Sequence, residues 1–292
     1  MTNYVMANEY FISRFGEKVY KLALDGGMNC PNRTKDRKGG CIFCSSGGSG
    51  DFAEKQCESI KEQIDRAIKR VENKKPKKFI AYFQSYTNTY APLEYLRSLF
   101  TETMQDERGC ALSIATRPDC LPSDVLGLLG ELNEIKPVFV ELGLQTASDK
   151  TATLINRGYK TSVYFEAVKN LKSVGVNVIT HVIIGLPKER EEDVLATIEA
   201  VNKSGSDGIK LQLMHVLKDT PLAVMHEKGQ YVALEKDEYV RLLLLCLKNL
   251  RKGMVVHRIT GDAPKRLLVA PLWSADKKRV LNDINKAIKE NL

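Results

Sequence analysis

The stretch Val176-Asn-Val-Ile-Thr-His-Val-Ile-Ile184, closed by Gly185-Leu-Pro187, decides the fold. A β-branched, apolar run that stops at a glycine and a proline reads as a strand. Glu191–Lys203 then reads as a helix and Ile209–Leu213 as the next strand. The same rhythm extends upstream. A helical segment from Ser162 to Val174 stops at Gly175, and Val138–Leu142 is a strand. Pro122–Glu134 is a helix with Ser123 and Asp124 in its first turn, preceded by the strand Ala111–Thr116. The helix Pro92–Met104 follows the strand Phe79–Phe83, and Ile60, Ile64, Ile68 and Val71 recur at helical spacing. Val19–Leu24 is the first strand, Asp237–Leu250 a strongly apolar helix, and Met254–Ile259 a seventh strand. Strands alternating with helices over at least six units predict an α/β fold with a parallel sheet covered by helices. So many units in one run suit a partial (β/α)6 TIM-like barrel better than a doubly wound sheet.

The boundaries follow from this rhythm. Residues 1–18 are expected to be an N-terminal extension, 19–260 the barrel, and 261–292 a C-terminal extension ending in the basic amphipathic helix Asp276–Leu292. The Lys-rich stretch Asn73–Lys78 reads as a solvated turn. The composition is ordinary for a globular chain, which excludes collagen, wholesale disorder and a disulfide scaffold. A net charge of +8 favours a polyanionic partner such as nucleic acid. The N-terminus lacks an apolar secretion segment and no stretch reaches the length of a membrane span, so a cytoplasmic protein is expected. Seven cysteines in such a chain are expected to be reduced thiols or metal ligands.

Three of them lie in Cys30-Pro-Asn-Arg-Thr-Lys-Asp-Arg-Lys-Gly-Gly-Cys41-Ile-Phe-Cys44, the loop after the first strand, at the mouth where barrel enzymes keep their chemistry. Cys41 and Cys44 have a CxxC spacing, and Gly39 and Gly40 let Cys30 turn towards them. Two metal readings stay open. A structural zinc site needs four closed ligands, with Cys57 or a distant histidine as the fourth. An iron–sulfur cubane held by three thiolates leaves one iron open. Cys110, Cys120 and Cys246 fit apolar packing.

The ends of the strands are unusually polar. Gln84 and Ser85 follow one strand, and Thr116 and Arg117 the next. Glu141 and Gln145 flank the fourth strand, and Gly185 ends the fifth. His215 and Lys218 follow the sixth, and His257 and Arg258 lie on or near the seventh. In a barrel these converge on one mouth. Glu141 is an acid within an apolar strand and needs a buried partner or a ligand. His181, mid-strand, reads as a hydrogen-bonded interior residue. His215, Lys218 and His257 are the candidates for substrate contact or proton transfer. Trp273 suits either core packing or stacking on a base.

The cysteine loop resembles that of radical S-adenosylmethionine (SAM) enzymes. Its ten residues between the first two cysteines, against the commoner three, resemble the branch containing the Elongator catalytic subunit and the bacterial YhcC/YtqA (MnmL) type. The segments Tyr82–Pro92, Glu141-Leu-Gly-Leu-Gln-Thr146, Asn156-Arg-Gly158 and Ile183-Ile-Gly-Leu-Pro187 are similar to that branch as well. The chain is too short for the acetyltransferase domain of the Elongator subunit, so that activity is not transferred. The resemblance implies a radical SAM barrel in which Cys30, Cys41 and Cys44 hold a [4Fe–4S] cluster. It implies that SAM is chelated by the open iron and cleaved by one electron to a 5′-deoxyadenosyl radical. Flavodoxin or ferredoxin would donate that electron. It places Gln84 and Ser85 by the methionine amine, where the family usually has glycines and an acid, and Arg157 by the carboxylate. Phe43 and the backbone at Gly185 would meet the adenine, and Ser113, Thr116 and Arg117 the ribose or carboxylate. Glu141 and Gln145 would complete the SAM contacts.

The resemblance further implies a tRNA substrate. The reaction would convert carboxymethylaminomethyl to aminomethyl at carbon 5 of the wobble uridine. An anticodon-loop base is already unstacked and reaches a pocket without a duplex being opened. Two alternatives stand beside it: the same chemistry on a small molecule or protein, and a non-catalytic zinc protein that binds nucleic acid.

Overall fold

The computed structural model describes residues 2–48, 50–54, 59–74 and 77–292. The chain opens with β1 (Tyr4–Met6), α1 (Ala7–Phe15) and β2 (Val19–Leu24). Then follow α2 (Ile60–Val71), β3 (Lys78–Phe83), α3 (Leu93–Gln105), β4 (Gly109–Thr116), α4 (Ser123–Ile135) and β5 (Val138–Gln145). Next come α5 (Asp149–Leu154), α6 (Thr161–Ser173), β6 (Asn177–Ile184), α7 (Glu191–Ser204) and β7 (Gly208–Leu213). The last third holds β8 (Val216–Leu217), α8 (Pro221–Glu227), α9 (Lys236–Lys248), β9 (Met254–Arg258), β10 (Leu268–Ala270) and α10 (Lys277–Asn291).

Eight strands form one curled, wholly parallel sheet in the order β1-β9-β7-β6-β5-β4-β3-β2. This is the expected partial barrel, with β1 and β2 as its edges. β8 and β10 pair antiparallel beside it. Tyr4–Met6 was not legible as a strand: it is three residues long, and its place is set by pairing with β9, from Tyr4↔Met254 to Met6↔Val256.

Side chains alternate along each strand. Val138, Val140, Leu142 and Leu144 of β5 join the apolar layer with the helices, while Phe139 faces inward. Ile80, Ala111, Phe139 and Ile179 form an apolar floor at the N-terminal ends of four strands. α1 packs on β1, β2 and β9 and drives Phe11 into that floor, edge-on to Phe139 at 5.7 Å between ring centroids. Two residues further along, the inward positions turn polar: Tyr82, Ser113, Glu141 and His181. The interior is therefore an apolar plug below and a polar tier above.

The ladder between β7 and β9 slips by one residue. Ile209 pairs with Val256 but Lys210 pairs with Arg258, which makes His257 the extra residue of a β-bulge. His257 lies against Phe11 and the bare Gly208, where an added Cβ would sit 2.6 Å from its ring. Arg258 reaches the mouth.

The basic C-terminal helix α10 buries Val280 and Ile284 and packs on α9. Trp273 donates its indole N–H to Leu234 O at 3.0 Å and lies 5.9 Å from the Tyr239 ring, so its role is tail packing. Phe11→Ala should cost about 3–5 kcal/mol of stability through the cavity left in the floor. Chemical denaturation of the purified protein checks this, and a loss under about 1 kcal/mol would show that the floor collapses without it.

Candidate functional site

The loop after β2 carries Cys30, Cys41 and Cys44 and is tied down from the α5 side. Ile42 N–H donates to Ile155 O at 3.1 Å, Asn156 Nδ2 to Gly40 O at 2.8 Å, and Asn32 Nδ2 to Asn156 O at 2.5 Å. Gly158 (φ +87°) lets this turn approach closely, since an added Cβ would lie 3.0 Å from Asn32 Oδ1. Within the loop, Cys44 N–H donates to Cys41 O at 3.0 Å, and the Arg33 guanidinium to Ser45 O at 2.6 Å and Cys44 O at 3.2 Å.

The three thiols line one cavity of about 160 Å³. Burial pushes the Cys41 thiol up to about 12, helped by Cys44 and Cys30 and opposed by Arg117. A thiol buried as Cys41 is becomes a thiolate only beside added positive charge, which a metal centre supplies. The donor set fits an iron–sulfur cluster. Among the described residues no three His, Cys, Asp or Glu side chains converge on an ion-sized point, so the thiols frame a cavity rather than a closed cage. Cys57, the further ligand that a zinc site would need, lies outside the described residues.

Phe43, Gln84, Thr116, Arg117 and Gln145 line the same cavity, and so do Glu141 and Arg157. Arg117 is held by Asp119 at 2.7 and 2.9 Å and stacks on Tyr159 at 4.8 Å. The Arg157 guanidinium is turned into the protein. It donates to Leu144 O, Thr146 O, Tyr159 O, Thr161 Oγ1 and Asp149, and so holds the end of β5. Ser85, Ser113 and Gly185 lie off the cavity. Ser85 is buried against Gly50, and Ser113 donates to Glu141 at 2.9 Å. Gly185 (φ +93°) faces Leu234, with its carbonyl taken by Tyr231 OH at 2.7 Å.

Glu141, 1% exposed, is the centre of the polar tier. It accepts from Lys21 Nζ at 2.5 Å, from His181 Nε2 at 2.8 Å, and from Lys210 Nζ. Both lysines also lie over the Tyr82 ring, at 5.1 and 4.6 Å. Burial would raise the Glu141 carboxyl, but Lys21, Lys210 and His181 overcome it and hold the group well below the carboxylate range. Burial pulls His181 down to about 4, with Lys210 adding to the effect. A neutral His181 donates from Nε2 to Glu141 and accepts at Nδ1 from Gln212 Nε2 at 3.4 Å, which suits both partners. Lys21, Lys210, Tyr82 and Tyr159 were missed from sequence. For the lysines the signal was present, since each is a cation inside an apolar strand like the acid Glu141.

A second cavity of about 240 Å³ adjoins the first. Phe43, Cys44, Gln84, Gln145, Gln212 and Arg258 are shared between them, and so is His181. His215 lines the second cavity, beside Asp262, and burial pulls it down to about 4. Lys218 is exposed and off both cavities, and His257 sits at the floor.

The tier makes stability acid-sensitive. Between the ordinary 6.5 of His181 and its folded value of about 4, the unfolded chain binds a proton that the folded chain refuses, so stability falls as pH falls. Glu141 adds a further loss below its ordinary 4.5. Urea midpoints measured from pH 7 to 4 should decline, and His181→Gln should make the upper part of that decline shallower, the share of His215 and His257 remaining. Glu141→Gln should cost about 3–5 kcal/mol at pH 7, because the buried Lys210 and the half-buried Lys21 lose their counter-charge.

The sequence pattern of the radical SAM superfamily matches residues 29–201, and that of the Radical_SAM C-terminal domain residues 206–290. YtqA of Bacillus subtilis is 45% identical over 288 residues, which cover 98% of this chain and 89% of that one. The tRNA uridine(34) acetyltransferase of Methanocaldococcus jannaschii is 25% identical over 167 residues, 56% of this chain and 30% of that one. Among solved structures, Methanocaldococcus infernus Elp3 superposes with a TM-score of 0.69 at 20% identity, over 78% of this chain and 58% of that one. That likeness is one of fold. With three thiols on one cavity at the mouth of a parallel half-barrel, the chain belongs to the radical SAM superfamily and is an enzyme whose cofactors are a [4Fe–4S] cluster and SAM.

Proposed function

We propose that this enzyme acts on tRNA, converting the carboxymethylaminomethyl group at carbon 5 of the wobble uridine to aminomethyl, with SAM as the two-electron oxidant and water releasing the two-carbon unit as glyoxylate. The observation that carries the reading is the pair of adjoining cavities. One is edged by the three thiols, the other by polar groups that include Gln212, His215, Arg258 and the carboxylates Asp51 and Asp262, and they share a wall. Bound together, the cluster and SAM supply a 5′-deoxyadenosyl radical, able to break an unactivated C–H bond. The protein's part is positioning. Cys30, Cys41 and Cys44 hold the cluster, Phe43 offers an apolar face, and the amides of Gln84 and Gln145 line both cavities. Arg117, braced by Asp119 and Tyr159, keeps a cation beside the thiols. His215 and Gln212 line the neighbouring cavity, where the reacting side chain of the nucleotide would sit.

A cavity of about 240 Å³ takes a substituted base edge but not a duplex, which suits an unstacked loop nucleotide. The net charge of +8 suits phosphate contacts. A tRNA-named relative that shares part of the chain supports the substrate class. The electron would come from a flavodoxin- or ferredoxin-type donor. No helix among the described residues is long and apolar enough to cross a membrane.

Anaerobic reconstitution with iron and sulfide, followed by dithionite and SAM, tests this. Wild type should turn brown and release 5′-deoxyadenosine. Cys44→Ala should lose at least about tenfold of that release, the scale of one misplaced catalytic component. Transfer RNA carrying carboxymethylaminomethyluridine should raise turnover, and nucleoside digestion should show the aminomethyl product, with a yield that falls as salt rises. Cluster chemistry indifferent to tRNA would move the substrate to a small molecule or a protein. A colourless zinc protein without SAM cleavage would overturn the cluster assignment.

A further inference from the structure

Four arginines line the thiol cavity: Arg33, Arg117, Arg157 and Arg258. Three are committed to the protein. Arg33 donates to Arg37 O, Cys44 O and Ser45 O, Arg117 is paired with Asp119, and Arg157 is turned inward to carbonyls. Arg258 is the exception: among the described residues its guanidinium makes no hydrogen bond. Its nearest carboxylate, Asp262, stands 3.9 Å away and is taken by Lys277 at 2.7 Å. The side chain is only 31% exposed. It is also the only arginine of the four that lines the second cavity as well.

Its position is a product of the β-bulge. Without the extra residue His257, the ladder from Ile209↔Val256 would place residue 257, not 258, opposite Lys210. A bulge beside an active site commonly re-aims one side chain. Below Arg258 the charges of Lys21 and Lys210 are answered by Glu141. Around the second cavity, Asp262 is bound by Lys277, and Asp51 accepts from Ser45 Oγ at 2.7 Å. A planar fork of donors, half-buried and without a hydrogen bond among the described residues, lines both cavities.

We propose that Arg258 is the specificity-determining residue of the substrate cavity, pairing with the carboxylate of the substrate side chain. This rests on the functional reading above, in which that side chain ends in a carboxymethyl group. A bidentate guanidinium–carboxylate pair fixes orientation as well as affinity. It would hold the methylene next to that carboxylate against the wall shared with the thiol cavity.

The test uses reconstituted wild type, Arg258→Met and Arg258→Lys. The probes are a fluorescent anticodon stem-loop with carboxymethylaminomethyluridine at the wobble position and the same stem-loop with the carboxylate capped as its methyl ester. Anisotropy reads binding without turnover, and nucleoside digestion reads conversion of the free acid. Wild type should bind the acid about tenfold more tightly than the ester, as a charge-assisted pair implies. Arg258→Met should bind both equally. Arg258→Lys should keep part of the preference, and it decides the matter if Arg258→Met melts early. If both RNAs weaken equally in Arg258→Met while the preference persists, Arg258 contacts a backbone phosphate and the carboxylate assignment is overturned. Conversion by wild type with unchanged discrimination in the variants overturns the assignment alone. No conversion by wild type overturns the functional reading, and the carboxylate assignment with it.

Discussion

The half-barrel is organised around a carboxylate without access to water. Glu141, on the central strand β5, is met by Lys21 from β2, Ser113 from β4, His181 from β6 and Lys210 from β7. Each charge taken from water costs several kcal/mol, and such a network rarely stabilises a fold more than apolar packing would. What it contributes here is placement. β2 is an edge strand, hydrogen-bonded in the sheet to β3 alone. Lys21 ties it across the interior to β5, so the loop that follows β2 is referenced to the sheet centre rather than to one neighbour. The cysteines are carried on that loop.

The second restraint comes from the opposite side. A loop with ten residues between Cys30 and Cys41 would ordinarily be mobile. Here its backbone is hydrogen-bonded to Ile155 and Asn156, just before Arg157. Arg157 in turn clamps the carbonyls of Leu144 and Thr146 at the end of β5. One strand thus anchors both ends of the arrangement, through Glu141 at mid-height and Arg157 at the top. The network fixes depth in the barrel and the turn fixes height above it.

Much of this was legible in the amino-acid sequence, for physical reasons that differ by element. Buried parallel strands read as apolar runs because both faces are covered, so β3 to β7 stood out. Tyr4–Met6 did not, because its strand character comes from pairing with β9 and not from its own three residues. The cysteine loop was legible because thiol spacing is local. Glu141 was legible because an acid in an apolar run demands an explanation. Lys21 and Lys210 carry the same signal, but which lysines answer the acid depends on register across the six strands from β2 to β7. Arg157 was identified as a site residue, but its donors are used within the protein, which no spacing reveals. Arg258 depends on a one-residue slip in the β7–β9 ladder that is invisible until the strands are paired.

The open sheet bears on how a substrate and SAM share one mouth. A closed barrel would present a narrow opening ringed by loops. Here β1 and β2 end the sheet without meeting, and α1 seals only the floor between them. The mouth above the polar tier stays open, and the thiol cavity and its neighbour share a wall there. Their common wall is built from Phe43, Cys44, His181, the amide side chains of Gln84, Gln145 and Gln212, and one cation, Arg258. Neutral amides tolerate a polar ligand on either face without demanding a charge, whereas a guanidinium in a half-buried wall rewards one. On the proposed reading, that asymmetry puts the preference for a charged substrate in the cation rather than in the amides.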